Sequence, residues 1–255
     1  MNYMNNNKNW NKEIKTNFDN AANHYSYHSS IQKHFCYEII LLIEKLSIRN
    51  GEWFDLGSGI GFLADEIEKQ FPQKNVCRID FSEKMLSNNK KNSKTILWDL
   101  NKGLPIEASR ATLLISNFCL HWLIEPELAL KDWFFKLEEG GFLIVCLPTS
   151  NSFPEWKFTC KENDFEYSGL TFPDSNSLIK DFKPNQIYSI KTYNYQENFK
   201  NVYKLFRNII NMGAHSTKSK RKSISELRAM QDFWPKHKND SVNLTWEICI
   251  LILRK

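Results

Sequence analysis

The stretch "FDLGSGIGFL", residues 54–63, decides how this chain is read. Three glycines, Gly57, Gly59 and Gly61, fall at every second position just after Asp55. Upstream, "WFDL" (53–56) reads as a short buried strand. Downstream, apolar residues at 62, 63, 67 and 71 keep a helical period, and Pro72 stops it. A strand–glycine–helix junction presents backbone N–H groups and a helix N-terminus to a nucleotide-like ligand. The dinucleotide fingerprint needs its third small residue one place later, where this chain has Phe62, so NAD or FAD fits poorly. No Gly-Lys-Ser/Thr follows, which excludes a P-loop.

Working outward, strands alternate with helices. "NVCRIDF" (75–81), "KTILWDL" (94–100), "ATLLISNF" (111–118) and "GFLIVCL" (141–147) read as strands. Ser82 is a candidate N-cap for a helix over "SEKMLSNNKK". "EPELALKDWFFKLEEGG" has proline near its start and a glycine pair past its end, the expected asymmetry of a helix. The alternation from 52 to 148 predicts βαβ units and a parallel sheet. Residues 149–183 lose it. "QIYSIKTYNYQENF" (186–199) and "LTWEICILIL" (244–253) return as strands, and two helices between them, over 201–214 and 223–234, are read as a cap over the ligand crevice. The second of those helices is capped by Ser223 or Ser225.

Composition narrows the classes. Hydrophobic residues are 42% and aromatics 14% of 255, enough for a packed core in one large domain. The formal charge of +5 is mild and offers little support for nucleic-acid binding, since no catalytic or aromatic RNA-binding motif accompanies it. It is concentrated: Lys200, Lys204, Arg207, Lys218, Lys220, Arg221 and Lys222 occupy 200–222 with no Asp or Glu among them. That stretch suits an acidic partner. Six cysteines form no C-x-x-C pair, so no metal site is expected; Cys77, Cys119, Cys146 and Cys249 read as small buried hydrophobes in a reducing compartment. The asparagine-rich N-terminus lacks the apolar region of a signal peptide and is read as a disordered tail over 1–14, before a single domain over 15–255. Its core is placed at about 50–148, 186–199 and 244–255, and its cap at about 149–185 and 200–240. The longest strong apolar run, 248–253, is too short to span a bilayer, and a cytoplasmic location is expected.

The D-x-G-x-G-x-G pattern resembles motif I of class I S-adenosylmethionine-dependent methyltransferases. Asp80 ends the second predicted strand, where a carboxylate accepts both ribose hydroxyls, and Asp99 ends the third, where this class places a residue near the adenine amine. The resemblance reaches a family within the class. Phe18, Ala21, Ala22, Tyr25 and Gln32, then "DLGSGIGFL", "DFSEKML", "GLP", "SNFCLHW", "NSFPEW" and "RNIINMGA", resemble the malonyl-acyl-carrier-protein O-methyltransferases of biotin synthesis over roughly residues 17–255. Ser58 stands where that family usually has cysteine, Asn151 where it has glycine, and "GAHS" (213–216) where it has Gly-Ala-Thr-His, which leaves His215 without an assigned role.

The resemblance implies an α/β, Rossmann-like fold, mostly parallel with the last strand antiparallel, an N-terminal helix and a late helical cap. It implies S-adenosyl-L-methionine held by Phe18, Tyr25, Asp55, Gly57, Ser58, Gly59, Gly61, Asp80, Phe81, Met85, Asp99, Leu100 and Asn117. The acceptor would be the free carboxyl of a malonyl group on an acidic acyl carrier protein, and its methyl ester would prime pimeloyl chain synthesis. Another small carboxylic acid, or a quinone precursor, is the alternative acceptor. A carboxylate with a pKa of about 4 is already ionised at neutral pH and needs no general base. The enzyme's work would then be positioning and excluding water. Tyr25, as a lid over the sulfonium, and Arg207, as a clamp on the carboxylate, are the candidate catalytic residues. His121 and Trp122 are candidates for the acceptor site, and Arg207, Lys218, Lys220, Arg221 and Lys222 for holding the acceptor or its carrier.

Overall fold

A computed structural model of the chain describes residues 2–214, 222–236 and 240–255, with side chains described from residue 9 onward. Three helices come first: α1 (Asn2–Ala21), α2 (Tyr25–His28) and α3 (Ser30–Ile43). The core follows as β1 (Trp53–Leu56), α4 (Phe62–Gln70), β2 (Cys77–Asp80), α5 (Glu83–Ser87), β3 (Thr95–Leu97), β4 (Leu113–Asn117), α6 (Pro126–Lys136) and β5 (Phe142–Pro148). After α7 (Pro154–Glu162) and α8 (Ser175–Ile179) come β6 (Ile187–Phe199), α9 (Val202–Asn211), α10 (Ile224–Phe233) and β7 (Val242–Arg254).

The strands form one sheet in the order β3-β2-β1-β4-β5-β7-β6. The first five are parallel to their neighbours, β7 is antiparallel to β5, and β6 is antiparallel to β7. The last strand is therefore the reversed one, as the resemblance implies. β5 shows how the sequence builds the layers. Its seven residues are all buried, because period 2 sends Phe142, Ile144 and Cys146 to one face and Leu143, Val145 and Leu147 to the other. The first face packs on Ile31, Phe35 and Ile39 of α3 and on Leu63 and Ile67 of α4. The second packs on Leu130, Trp133 and Phe134 of α6. Ser82 caps α5 by accepting from the Met85 N–H, and Ser223, not Ser225, caps α10 in a reciprocal pair with Glu226.

Three expectations need adjusting. Residues up to 14 were expected to be a tail, but α1 begins at Asn2. Asparagine is a poor helix former, yet Ile14 and Ala21 face inward on one stripe, and both are buried. Tertiary packing decides the outcome. Residues 149–185 are not all cap: Leu178 of α8 and Phe182 pack on the α6 side of the sheet. Cys119 lies in the loop beyond β4 and is only partly buried, while the other five cysteines are buried; all six are free.

Candidate active site

Strand order reverses between β1 and β4, so the chain after these two strands leaves toward opposite faces and opens a crevice at their C-terminal ends. The glycine loop lies there. Gly57 has φ +73°, and a Cβ on it would lie 2.2 Å from the Cys119 sulfur of the β4 loop. Gly61 has φ +80° and starts α4; a Cβ there would lie 1.9 Å from Asn89 Oδ1. Both positions require glycine, for backbone shape and for space. Gly59 differs: a Cβ on it would meet nothing within 4 Å, because it points into the open crevice.

The carboxylates converge on this loop. Asp80 Oδ2 accepts from the Gly59 N–H at 2.8 Å and Oδ1 from the Ser82 N–H at 2.8 Å. Each oxygen keeps a lone pair for a second bond. Burial pushes the Asp80 carboxyl up to about 6, against the pull of those N–H groups. Burial pushes Asp55 up to about 7, with Arg78 opposing. Arg78 is fully buried behind the loop and pairs with Asp65 at 2.7 Å and Glu68 at 2.8 Å. Asp99 ends its segment as the cap of a short 3-10 turn, accepting from the Asn101 N–H at 3.0 Å.

These groups line a cavity of about 970 Å³, open to solvent on one side. Twelve of the thirteen residues expected around the methyl donor line it: Phe18, Tyr25, Asp55, Gly57, Ser58, Gly59, Asp80, Phe81, Met85, Asp99, Leu100 and Asn117. Gly61 does not; it shapes the loop from behind. The sequence reading missed Asn11 and Ile14, which reach the cavity from α1, and Trp98 and Asn101 beside Asp99. α1 is held over the opening, where Asp19 accepts from the Ser82 hydroxyl at 2.5 Å. Nothing in the local pattern of 1–14 announced this.

A second cavity of about 1220 Å³ adjoins the first. Phe18, Tyr25, Gln32, Phe118 and Trp122 line both, so they mark the junction. The inner walls are aromatic: Phe153, Trp156, Phe172, Phe206 and Trp246. They come from the N-cap of α7 (Phe153), α7 itself, the following loop, α9 and β7, which puts this cavity under the cap. His121 lines it, is 8% exposed, and packs its ring against Phe118, Trp122 and Phe172 at centroid distances of 6.2, 5.2 and 5.4 Å. Burial pushes its pKa down to about 3, so the ring is neutral at neutral pH.

The basic residues divide. Arg207 is exposed and lines neither cavity. α9 buries Val202, Leu205 and Ile209, and at 100° per residue Arg207 falls on the opposite face. This corrects its expected place on the acceptor. Lys222 does line the second cavity; its ammonium donates to the Glu166 carbonyl and lies 3.8 Å from Glu226. Lys218, Lys220, Arg221 and His215 lie outside the described residues.

The sequence profile of a family described as "Methyltransferase domain" matches residues 54–145, the span that builds β1 to β5 and the glycine loop. The chain is a methyltransferase. It is similar to malonyl-[acyl-carrier protein] O-methyltransferase 2 of Ilyobacter polytropus, with 24% identity over 96% of this chain and 98% of that one. It is also similar to the protein of the same name from Coxiella burnetii, with 26% identity over 66% of this chain and 68% of that one. Among solved structures, YcgJ of Bacillus subtilis shares the fold with a TM-score of 0.57 at 11% identity, covering 84% of this chain and 96% of that one. A SAM-dependent methyltransferase of Thermotoga maritima shares it with a TM-score of 0.53 at 16% identity, covering 94% and 99%.

Enzymes of this class take the methyl group from S-adenosylmethionine, and the first cavity fits that molecule. Asp55 Oδ2 and Ser58 Oγ are buried beside the loop without a hydrogen-bond partner among the described residues, and Gly59 leaves its side-chain space open. Asp80, Trp98, Asp99 and Leu100 line the same cavity. Among the described residues, no helix is long and apolar enough to cross a membrane.

Proposed function

We propose that this methyltransferase esterifies the free carboxyl of a malonyl group carried on an acyl carrier protein, in the cytoplasm, and so primes pimeloyl chain synthesis for biotin. One observation carries the reading. Similarity to a malonyl-carrier O-methyltransferase runs along nearly the whole chain, including the N-terminal helices and the cap as well as the widely shared core. The cavities agree with the chemistry. The acceptor carboxylate oxygen takes the methyl carbon as the carbon–sulfur bond breaks, and that electron pair stays on sulfur. No proton moves, so no base is needed. Among the described residues, the imidazole lining the second cavity, His121, is held neutral by burial. Tyr25 and Phe18 cover the junction, their rings 6.4 Å apart, where an aromatic face next to a sulfonium contributes roughly 0.5–2 kcal/mol.

The carrier would dock on the outer face of α9, where Lys204 and Arg207 stand one turn apart beside Lys200, all exposed. Arg207 thus belongs to the carrier face in this reading. The test is methyl transfer from S-adenosylmethionine to malonyl carrier protein, followed by mass spectrometry of the intact carrier. A gain of one methyl group on the malonyl arm is expected. Methylation of free acids or quinone precursors, with none on the carrier, would overturn the reading. The aromatic walls of the second cavity make an apolar free acid the competitor to include.

A further inference from the structure

The second cavity contains a polar group with no partner, and its position matches one atom of the proposed acceptor. His121 Nδ1 is sealed from solvent and has no hydrogen-bond partner among the described residues. The ring's close neighbours are three aromatic side chains, which offer it no acceptor in their planes. A buried polar group left in this state carries an uncompensated desolvation penalty. Phenylalanine would fill the same space without one. The imidazole is neutral, so one nitrogen carries a proton and the other does not. With Nδ1 sealed against rings, the Nε2 edge is the one able to meet an occupant of the cavity that His121 lines.

The location is specific. Phe118 and Trp122 line both cavities, and the His121 ring contacts both of them. His121 therefore sits one ring beyond the junction at which the methyl group must be delivered. In a malonyl thioester, one methylene separates the carboxylate from the thioester carbonyl. A carboxylate at the junction places that carbonyl one step inside the second cavity.

We propose that His121 is a specificity-determining residue that donates a hydrogen bond from Nε2 to the thioester carbonyl of the acceptor, orienting the carboxylate toward the junction. This rests on the malonyl-thioester reading of the function. A neutral donor suits the task, since a cation beside the sulfonium would oppose binding of the methyl donor.

The experiment compares two soluble acceptors: a malonyl pantetheine-type thioester, and the thioether analogue in which the carbonyl is replaced by a methylene. Wild-type enzyme is expected to favour the thioester by about 10- to 100-fold in kcat/KM, the range for a lost hydrogen bond to a buried group. His121→Phe should reduce that preference to within about threefold and leave S-adenosylhomocysteine affinity unchanged. His121→Gln, which restores an N–H donor, should recover part of it. A His121→Phe enzyme that keeps the preference, or a wild type that uses both acceptors equally well, overturns the role of His121 and leaves the proposed function intact. Loss of S-adenosylhomocysteine binding in both variants reassigns the residue to the cofactor cavity. If His121→Phe does not fold, the wild-type preference and the His121→Gln enzyme decide. A wild type that methylates neither acceptor removes the malonyl-thioester reading itself, and this inference with it.

Discussion

Replacing Asp80 by asparagine separates what the fold needs from what the methyl donor needs. In the native loop, both carboxylate oxygens accept a backbone N–H at 2.8 Å, from Gly59 and Ser82. Asparagine supplies one carbonyl oxygen and must turn its NH₂ toward the other N–H. One charge-assisted bond is lost, about 1.5–3 kcal/mol. Against this, the buried carboxyl titrates at about 6 rather than the usual 3.8, which amounts to about 3 kcal/mol opposing its ionisation at neutral pH. The neutral amide escapes that term. Because the shift to about 6 already sets burial against those N–H bonds, removing the charge matches or outweighs the bond lost, and the apo variant should melt no lower than wild type. Donor affinity has no such offset. The ribose hydroxyls lose a charged acceptor, and the Kd for S-adenosylhomocysteine should rise by about 10- to 100-fold. Titration supplies a second signature. The binding-competent carboxylate is present above its folded pKa of about 6, so wild-type affinity should fall as pH drops through that value, by about tenfold per pH unit. Stability responds in the opposite sense. Because the folded pKa lies above the unfolded one, this group makes the apo protein more stable as pH falls from about 6 toward 3.8. Isothermal titration calorimetry across pH, with thermal melts of the apo enzymes, measures both. An Asp80→Asn enzyme that binds within about threefold of wild type at neutral pH would refute the assignment.

Two further substitutions test the corrected map. Gly61→Ala places a Cβ 1.9 Å from Asn89 Oδ1 at φ +80°; the left-handed backbone alone costs about 1–2 kcal/mol. Calorimetric melts should show a Tm lower by roughly 2–8 °C, and an unchanged Tm would contradict the backbone reading. Arg207→Ala removes an exposed side chain that lines neither cavity. Turnover of a soluble malonyl thioester should stay within about twofold of wild type, while the double reversal Lys204→Glu, Arg207→Glu should raise the KM for the carrier-borne acceptor, most at low salt. A large loss with the soluble thioester would return Arg207 to the acceptor site.

The wall of the first cavity was legible in the sequence because its signals are local. Each of Asp55, Asp80, Asp99 and Asn117 ends, or nearly ends, a strand-like run, and a parallel sheet brings such ends to one edge whatever the helices between them do. Gly61 was assigned to the ligand for the same reason, since spacing records that a glycine is required without saying which side of the loop requires it. Its crowding against Asn89 and Arg78 is a tertiary fact. α1 was missed because its composition argues against a helix, and its buried stripe matters only once the crevice it covers exists.

Most of the second cavity was not legible, and the reason is how it is assembled. The second cavity is closed by Tyr25 from the N-terminal helices, Phe118 and His121 after β4, Trp156 from α7, Phe206 from α9 and Trp246 from β7. Tyr25 and His121 are singled out only through the resemblance, and Phe118, Trp156, Phe206 and Trp246 read in their own segments as ordinary core aromatics. Charge misled for a related reason. A basic run suggested a clamp, but the geometry of α9 turns Arg207 outward, while Lys222, in the segment before α10, reaches the second cavity. In the proposed reaction the nucleophile is already ionised and needs no titrating group near the junction, so shape, dryness and one or two neutral hydrogen bonds would do the work there. Aromatic residues satisfy the first two requirements, and their positions carry no fixed spacing. His121 departs from that background only through its missing partner, which becomes visible once the rings around it are in place.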